Sequence, residues 1–202
     1  MKMTAGGFDI LRKNLGRLNQ SQVDQINFLV SEFDKDKSIS YPQAAYMLAT
    51  TWHETATTML PIEEYGKGKG RTYGTWFKNS LGKLYSFIDG LKKVAYLFDD
   101  YPHLYYGRGY VQLTWWANYD KASKKLGIDF VNHPEYALQR EHAVKILIAG
   151  MKEGWFTGRK LSDYISGNKK DYVNARRIIN GMDKAQKIAN EAVIFERALR
   201  SF

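Results

Sequence analysis

Apolar residues recur at helical spacing over most of the chain. In SQVDQINFLVSEFDK (21–35), Val23, Ile26, Phe28, Leu29 and Val30 include the i, i+3 and i+7 positions of a buried helix face, and Ser21 is the candidate N-cap. SYPQAAYMLATTWHETA (40–56) opens on Ser40 with Pro42 in its first turn, a sound helix start. Three further helices are predicted: 115–127 closed by Gly127, 140–156 with Ala143, Ile146, Leu147 and Gly150 on one stripe, and 171–181 ending at Gly181. A last amphipathic helix over 183–202 aligns Ala185, Ile188, Ala189, Ala192, Phe195 and Leu199.

The pattern fails between 60 and 80. Pro61 and GKGKGRTYG (66–74) predict a mobile basic loop at the edge of a cleft. Segment 81–101 fits either helix or strand. YYGRGYVQLT (105–114) carries β-formers after two glycines and predicts a short strand or an irregular floor. No long repeat and no low-complexity tail interrupts the chain. Its 202 residues suffice for one α-rich domain with two lobes around a substrate cleft and little or no β-sheet.

Composition narrows the chemistry. There is no cysteine, which excludes disulfides and thiolate-bound zinc. The start MKMTAGGFDILRKNLGRLNQ has no apolar stretch of signal-peptide length, so synthesis in the cytoplasm is expected. The net charge of +9 favours polyanionic surroundings: nucleic acid, anionic lipid or the acidic polymers of a bacterial envelope.

Several motifs start and do not finish. His53 and Glu54 begin a zinc-protease helix, but Thr57 stands where the second histidine belongs. DKDKSIS (34–40) places Asp34, Asp36 and Ser38 as a calcium loop would, yet Ile39 and Ala45 occupy the glycine and glutamate positions. The glycines of 66–74 match no phosphate loop, and no G-x-S-x-G elbow is present. No metal or organic cofactor is expected.

What remains is a pair of carboxylates. Cleaving a glycosidic bond takes one carboxylic acid to protonate the departing oxygen and a second carboxylate as nucleophile or water activator. Glu54, near a helix end packed by Met47, Ala49 and Trp52, and Glu63 or Glu64, beside a polar loop, supply them. An apolar setting would suit an acid. Tyr105, Tyr106, Tyr110, Trp115, Trp116 and Tyr119 gather rings around Gln112, Thr114 and Asn118, a mixture suited to sugar faces and hydroxyls.

HETAT, then PIEEYG, then YYGRGYVQLTWWANYDKASKKLGI, then ARRIINGMDKA, in this order, resemble the glycoside hydrolase family 19 domain, and most closely its phage endolysins. The resemblance spans about 40–200 and implies a lysozyme-like fold and a single catalytic domain over 1–202. It implies Glu54 as the catalytic acid and, by the P-I-x-E-x-G pattern, Glu64 rather than Glu63 as the second carboxylate. Gln112 and Thr114 would place the attacking water. Asn118, Tyr119 and Asn180 match substrate-contacting positions, with Glu63, Tyr106, Tyr110 and Trp115 lining the cleft and His53 and Arg108 in support. The family inverts, which implies carboxyl groups roughly 6.5–9.5 Å apart.

Two departures, Ala56-Thr57-Thr58 after His-Glu-Thr and the missing cysteines, shift the expected substrate from chitin to peptidoglycan; Tyr110 also replaces a proline common in the chitinases. The expectation is a muramidase-type endolysin that waits in the host cytoplasm for membrane disruption and then cleaves peptidoglycan strands as a monomer. Its basic C-terminal helix, with Lys184, Lys187, Arg197 and Arg200, would face anionic outer-membrane lipid. The rivals are a family 19 chitinase and, more distantly, a basic nucleic-acid-binding module; no nucleic acid is expected.

Overall fold

The computed structural model describes residues 1–201; Phe202, the last residue of the predicted terminal helix, lies outside them. The chain forms two compact units, 1–60 with 147–202, and 61–146. Both are α-rich or irregular with short strands.

The first unit opens with α1 (Ala5–Leu15), capped by Thr4, whose hydroxyl accepts from Gly7 N at 3.0 Å. Gly7 lies against α7 (Ala185–Leu199): a Cβ there would stand 2.6 Å from Ala198 O. The N-cap of α2 (Gln20–Lys35) falls two residues earlier than expected. Asn19, not Ser21, is its N-cap, because Gln22 three residues on completes a reciprocal capping box. Helix α3 (Tyr41–Glu54) begins as predicted, with Ser40 and Gln43 forming a second box and Pro42 in the first turn.

The core of this unit is the packing of α3 and α1 against α7. Residues 44–49 of α3 are wholly buried, as are Ile188, Ala192 and Phe195 of α7. Trp52 meets Phe195 edge-on with centroids 6.2 Å apart. The predicted apolar stripe of the terminal helix is thus the face that packs.

In the second unit, β1 (Ile62–Glu63) pairs with β5 (Arg108–Gly109), antiparallel. β2 (Phe77–Lys78), β3 (Leu84–Phe87) and β4 (Ala95–Leu97) make a three-stranded antiparallel meander, which resolves 81–101 as extended chain. The 60–80 segment contains two single 3₁₀ turns, 65–68 and 72–74, between β1 and β2. Helix α4 (Trp116–Leu126) ends at Gly127 in the left-handed region, whose N–H reaches Ser123 O at 2.9 Å.

Helix α5 (Arg140–Glu153) stops three residues short of the predicted end, because Gly154 turns left-handed. The following α6 (Leu161–Tyr164) and the β6–β7 hairpin (Ile165–Ser166, Lys169–Lys170) belong to the first unit. The helix expected over 171–181 is only a 3₁₀ turn, 174–178. Asp171 draws Asn174 N (3.0 Å) and its amide (2.9 Å) into a local turn, which competes with helix propagation.

Candidate active site

The chain after Glu54 is tightly specified. Glu54 is the last residue of α3, and Ala56, Thr57 and Met59 all follow with positive φ (48°, 69° and 60°). Such conformations persist in non-glycine residues only when the surroundings hold them. Here Thr55 Oγ1 donates to Thr51 O (2.7 Å) and accepts from Met59 N (3.0 Å), while Gln22 Nε2 donates to Thr57 O (2.8 Å). The helix end that carries Glu54 is therefore anchored by two polar side chains.

Glu54 is not set in the apolar pocket expected for it. Arg176, buried in the 174–178 turn, donates from one guanidinium nitrogen to Glu54 Oε1 at 2.5 Å. Its Nε is held by Asp183 O at 3.1 Å. The Glu54 side chain is 16% exposed, and Oε2 has no hydrogen-bond partner among the described residues. One oxygen is fixed and the other remains available. Arg176 escaped the sequence reading although its motif, ARRIING, was singled out; nothing in an Arg-Arg pair says that the first is buried and the second exposed.

His53 precedes Glu54 and is half-buried. Burial holds its imidazole below the ordinary value of 6.5, with Arg176 and Lys187 acting in the same direction and Glu54 and Asp183 opposing. A depressed folded-state value means that the unfolded chain takes up the proton first, so stability is present above pH 6.5 and is lost as pH falls. His53→Gln should flatten the decline of the urea midpoint between about pH 7 and pH 5. Asn180 also lies in this unit. It is exposed, and its side-chain oxygen accepts from Gly181 N at 2.8 Å.

The second carboxylates lie in the second unit. On a strand, consecutive side chains point to opposite faces, and Glu63 and Glu64 have separate partners. Glu63 Oε1 accepts from Tyr106 OH (2.9 Å) and lies 3.7 Å from Arg108 Nε; its other oxygen is 3.6 Å from Lys67 Nζ. Glu64 accepts from Tyr73 OH (2.8 Å) on Oε1 and from Gly107 N (3.0 Å) on Oε2. Burial, together with the Glu64 carboxylate, pushes the Tyr73 phenol up to about 12, so it remains a donor. Tyr73 lies in the stretch expected to be a loose loop, and no spacing in the sequence points to it.

Gln112 is placed against this group. Its Nε2 donates to Ile62 O (3.1 Å) and Gly109 O (3.3 Å). A Cβ on residue 107 would fall 2.6 Å from Gln112 Oε1, so the glycine lets the backbone serve Glu64 while Gln112 lies alongside. Trp115, with φ 71°, packs edge-on against Tyr73 at 5.2 Å. Thr114 is half-buried, and its carbonyl takes the Asn118 amide at 2.8 Å.

Two residues expected to touch substrate, and one expected in support, are buried instead. Tyr110 and Tyr119 are wholly buried. Tyr119 OH donates to Tyr106 O at 2.8 Å and accepts from Arg108 at 3.0 Å. Arg108 is 5% exposed, stacked 3.7 Å over the Tyr106 ring and bonded to the carbonyls of Leu104 and Tyr106. Arg108 and Tyr119 instead support Tyr106, which donates to Glu63. The aromatic density that suggested sugar stacking is here mostly core, because phenols and a guanidinium can satisfy one another without water. Tyr106, 8% exposed, belongs with them; Trp115 and Gln112 are the partly accessible members.

A hydrogen-bonded carboxylate on a strand end and an arginine-held carboxyl on a helix end, in an α-rich chain, are the parts of a glycosidase. Residues 32–157 match the family described as chitinase class I, and the chain belongs to glycoside hydrolase family 19. No curated protein matches it in sequence. Among solved structures, chitinase C from Streptomyces griseus HUT6037 is 20% identical with a TM-score of 0.58, over 98% of this chain and 76% of that one. A bacterial family 19 chitinase is 19% identical with a TM-score of 0.52, over 99% of this chain and 96% of that one. The likeness is one of fold, and the enzyme is a glycoside hydrolase.

Proposed function

We propose that the enzyme is an endolysin that hydrolyses the β-1,4 bonds of bacterial peptidoglycan, most directly those after N-acetylmuramic acid, by single displacement. Glu54 gives its proton to the leaving oxygen from Oε2 while Arg176 holds Oε1. Glu64, its orientation fixed by Tyr73 and Gly107 N, takes a proton from the attacking water, with Gln112 and Thr114 orienting that water. The observation that carries the role of Glu64 is its pair of donors, one phenol and one backbone N–H, beside Gln112. Such donors fix the orientation of the carboxylate that a water activator needs. Glu63 is engaged instead with Tyr106 and Arg108.

The net charge of +9 supports an acidic polymer as substrate over neutral chitin. We propose further that the protein reaches the wall from the host cytoplasm after membrane disruption. Anionic lipid would meet only the exposed basic side of α7, since the apolar side is packed. A second reading, hydrolysis of chitin, is favoured by the names of the structural neighbours.

Digesting purified peptidoglycan and chitin oligomers side by side, with mass spectrometry of the new reducing ends, separates the two. N-acetylmuramic acid ends support the proposal. Cleavage of chitin alone, or anhydro ends, would overturn it. Tyr73→Phe removes one of the two donors to Glu64 and should lower kcat about tenfold with KM little changed, a loss of about 1.4 kcal/mol in transition-state stabilisation.

A further inference from the structure

The β3–β4 turn takes no part in the mechanism above. Every residue from Gly90 to Ala95 is exposed. Leu91 is 71% and Val94 56% exposed, with Lys92 and Lys93 between them. The turn is nonetheless well held. Asp89 Oδ1 accepts from Leu91 N at 2.8 Å, Ile88 N reaches Val94 O at 3.0 Å, and Lys92 adopts φ +56°. Neither lysine ammonium has an ion-pair partner among the described residues.

Its attachment leads to Glu64. Ala117 N, at the start of α4, donates to Ile88 O at 3.0 Å. A Cβ on Gly90 would lie 3.5 Å from the Trp115 indole. Trp115 packs on Tyr73, and Tyr73 donates to Glu64. Two side chains separate the turn from the carboxylate.

We infer that this turn is an accessory binding site for the anionic peptide stem of the glycan strand. Lys92 and Lys93 pair with stem carboxylates, and Leu91 and Val94 cover its short alkyl side chains. The inference rests on the peptidoglycan reading. A chitin chain is uncharged and offers nothing to two unpaired ammonium groups. An anionic lipid surface has the right charge, but the contact through Gly90 and Trp115 sets the turn beside the group that works on the strand, which favours the stem.

The test uses the full chain, with K92Q/K93Q and the charge-retaining K92R/K93R. Substrates are purified peptidoglycan, the same glycan stripped of its stems by an amidase, and chitin oligomers. K92Q/K93Q should raise KM on the intact wall about fivefold, as two exposed charge pairs allow, with kcat and the thermal midpoint unchanged. On stripped strands it should match wild type, and K92R/K93R should match wild type throughout. The wild-type advantage should vanish near 1 M salt, where screening acts within about 3 Å. An equal KM on the intact wall, or an equal rise on stripped strands, overturns the inference. So does weaker binding to phosphatidylglycerol vesicles with an unchanged KM on wall, which would make the turn a lipid contact. If the wild type cleaves chitin oligomers and neither wall preparation, the peptidoglycan reading itself falls.

Discussion

Glu54→Gln should reduce glycan hydrolysis about a thousandfold, read as kcat on soluble strands, because a positioned general acid contributes roughly 10²–10⁴. The substitution keeps the shape of the side chain. Its amide oxygen still accepts from Arg176, so the folded state loses about 1 kcal/mol at most, the difference between a charged and a neutral acceptor. A loss of activity without loss of the cooperative unfolding transition is the expected signature. Undiminished activity would remove Glu54 from the chemistry and leave its pairing with Arg176 as a structural contact.

Arg176→Met should have the largest effect on stability. It strips a partly buried carboxylate of its counter-charge and abandons the bond to Asp183 O. Breaking one side of such a pair costs about 3 kcal/mol, and for a chain of this size that lowers the thermal midpoint by about 6–12 °C. The double variant Glu54→Gln with Arg176→Met should recover part of that loss, since no unpaired charge is then left inside. Thermal unfolding of the two single variants and the double variant checks this. Strict additivity would mean that the two side chains do not share a stabilising interaction.

The helices were legible because their apolar faces repeat over three or more turns. Helices α2, α5 and α7 each carry a stripe that the structure buries, whereas α3 was legible from its Ser40 cap and Pro42, and α4 from Gly127 at its end. The meander over 77–97 was not resolved, because strands of two to four residues are too short for alternation to stand out from noise. Segment 171–181 misled for the opposite reason. Its apolar spacing suits a helix, but the Asp171–Asn174 turn and the long-range demands on Arg176 are local and tertiary facts that periodicity does not carry.

Of the candidate site, the sequence singles out the acids and not their partners. Glu54 and Glu64 stand out through chemistry and motif, whereas Tyr73 and Arg176 become visible only when the chain brings them back. Tyr119 illustrates the remaining difficulty. An aromatic residue beside amides reads as a sugar platform until burial is known, and only the fold supplies that.

The first unit is assembled from two separate stretches of chain: α1 and α3 come from residues 1–60, and the helix that joins them, α7, comes from residues 147–202. Thr4 even bonds Ser201 O, at 3.1 Å. Contacts of such long sequence separation form late in folding, so the core that holds Glu54 closes only after its helices have formed. The placement of Glu54 is therefore a product of long-range docking, completed only when a distant stretch of chain packs against α3.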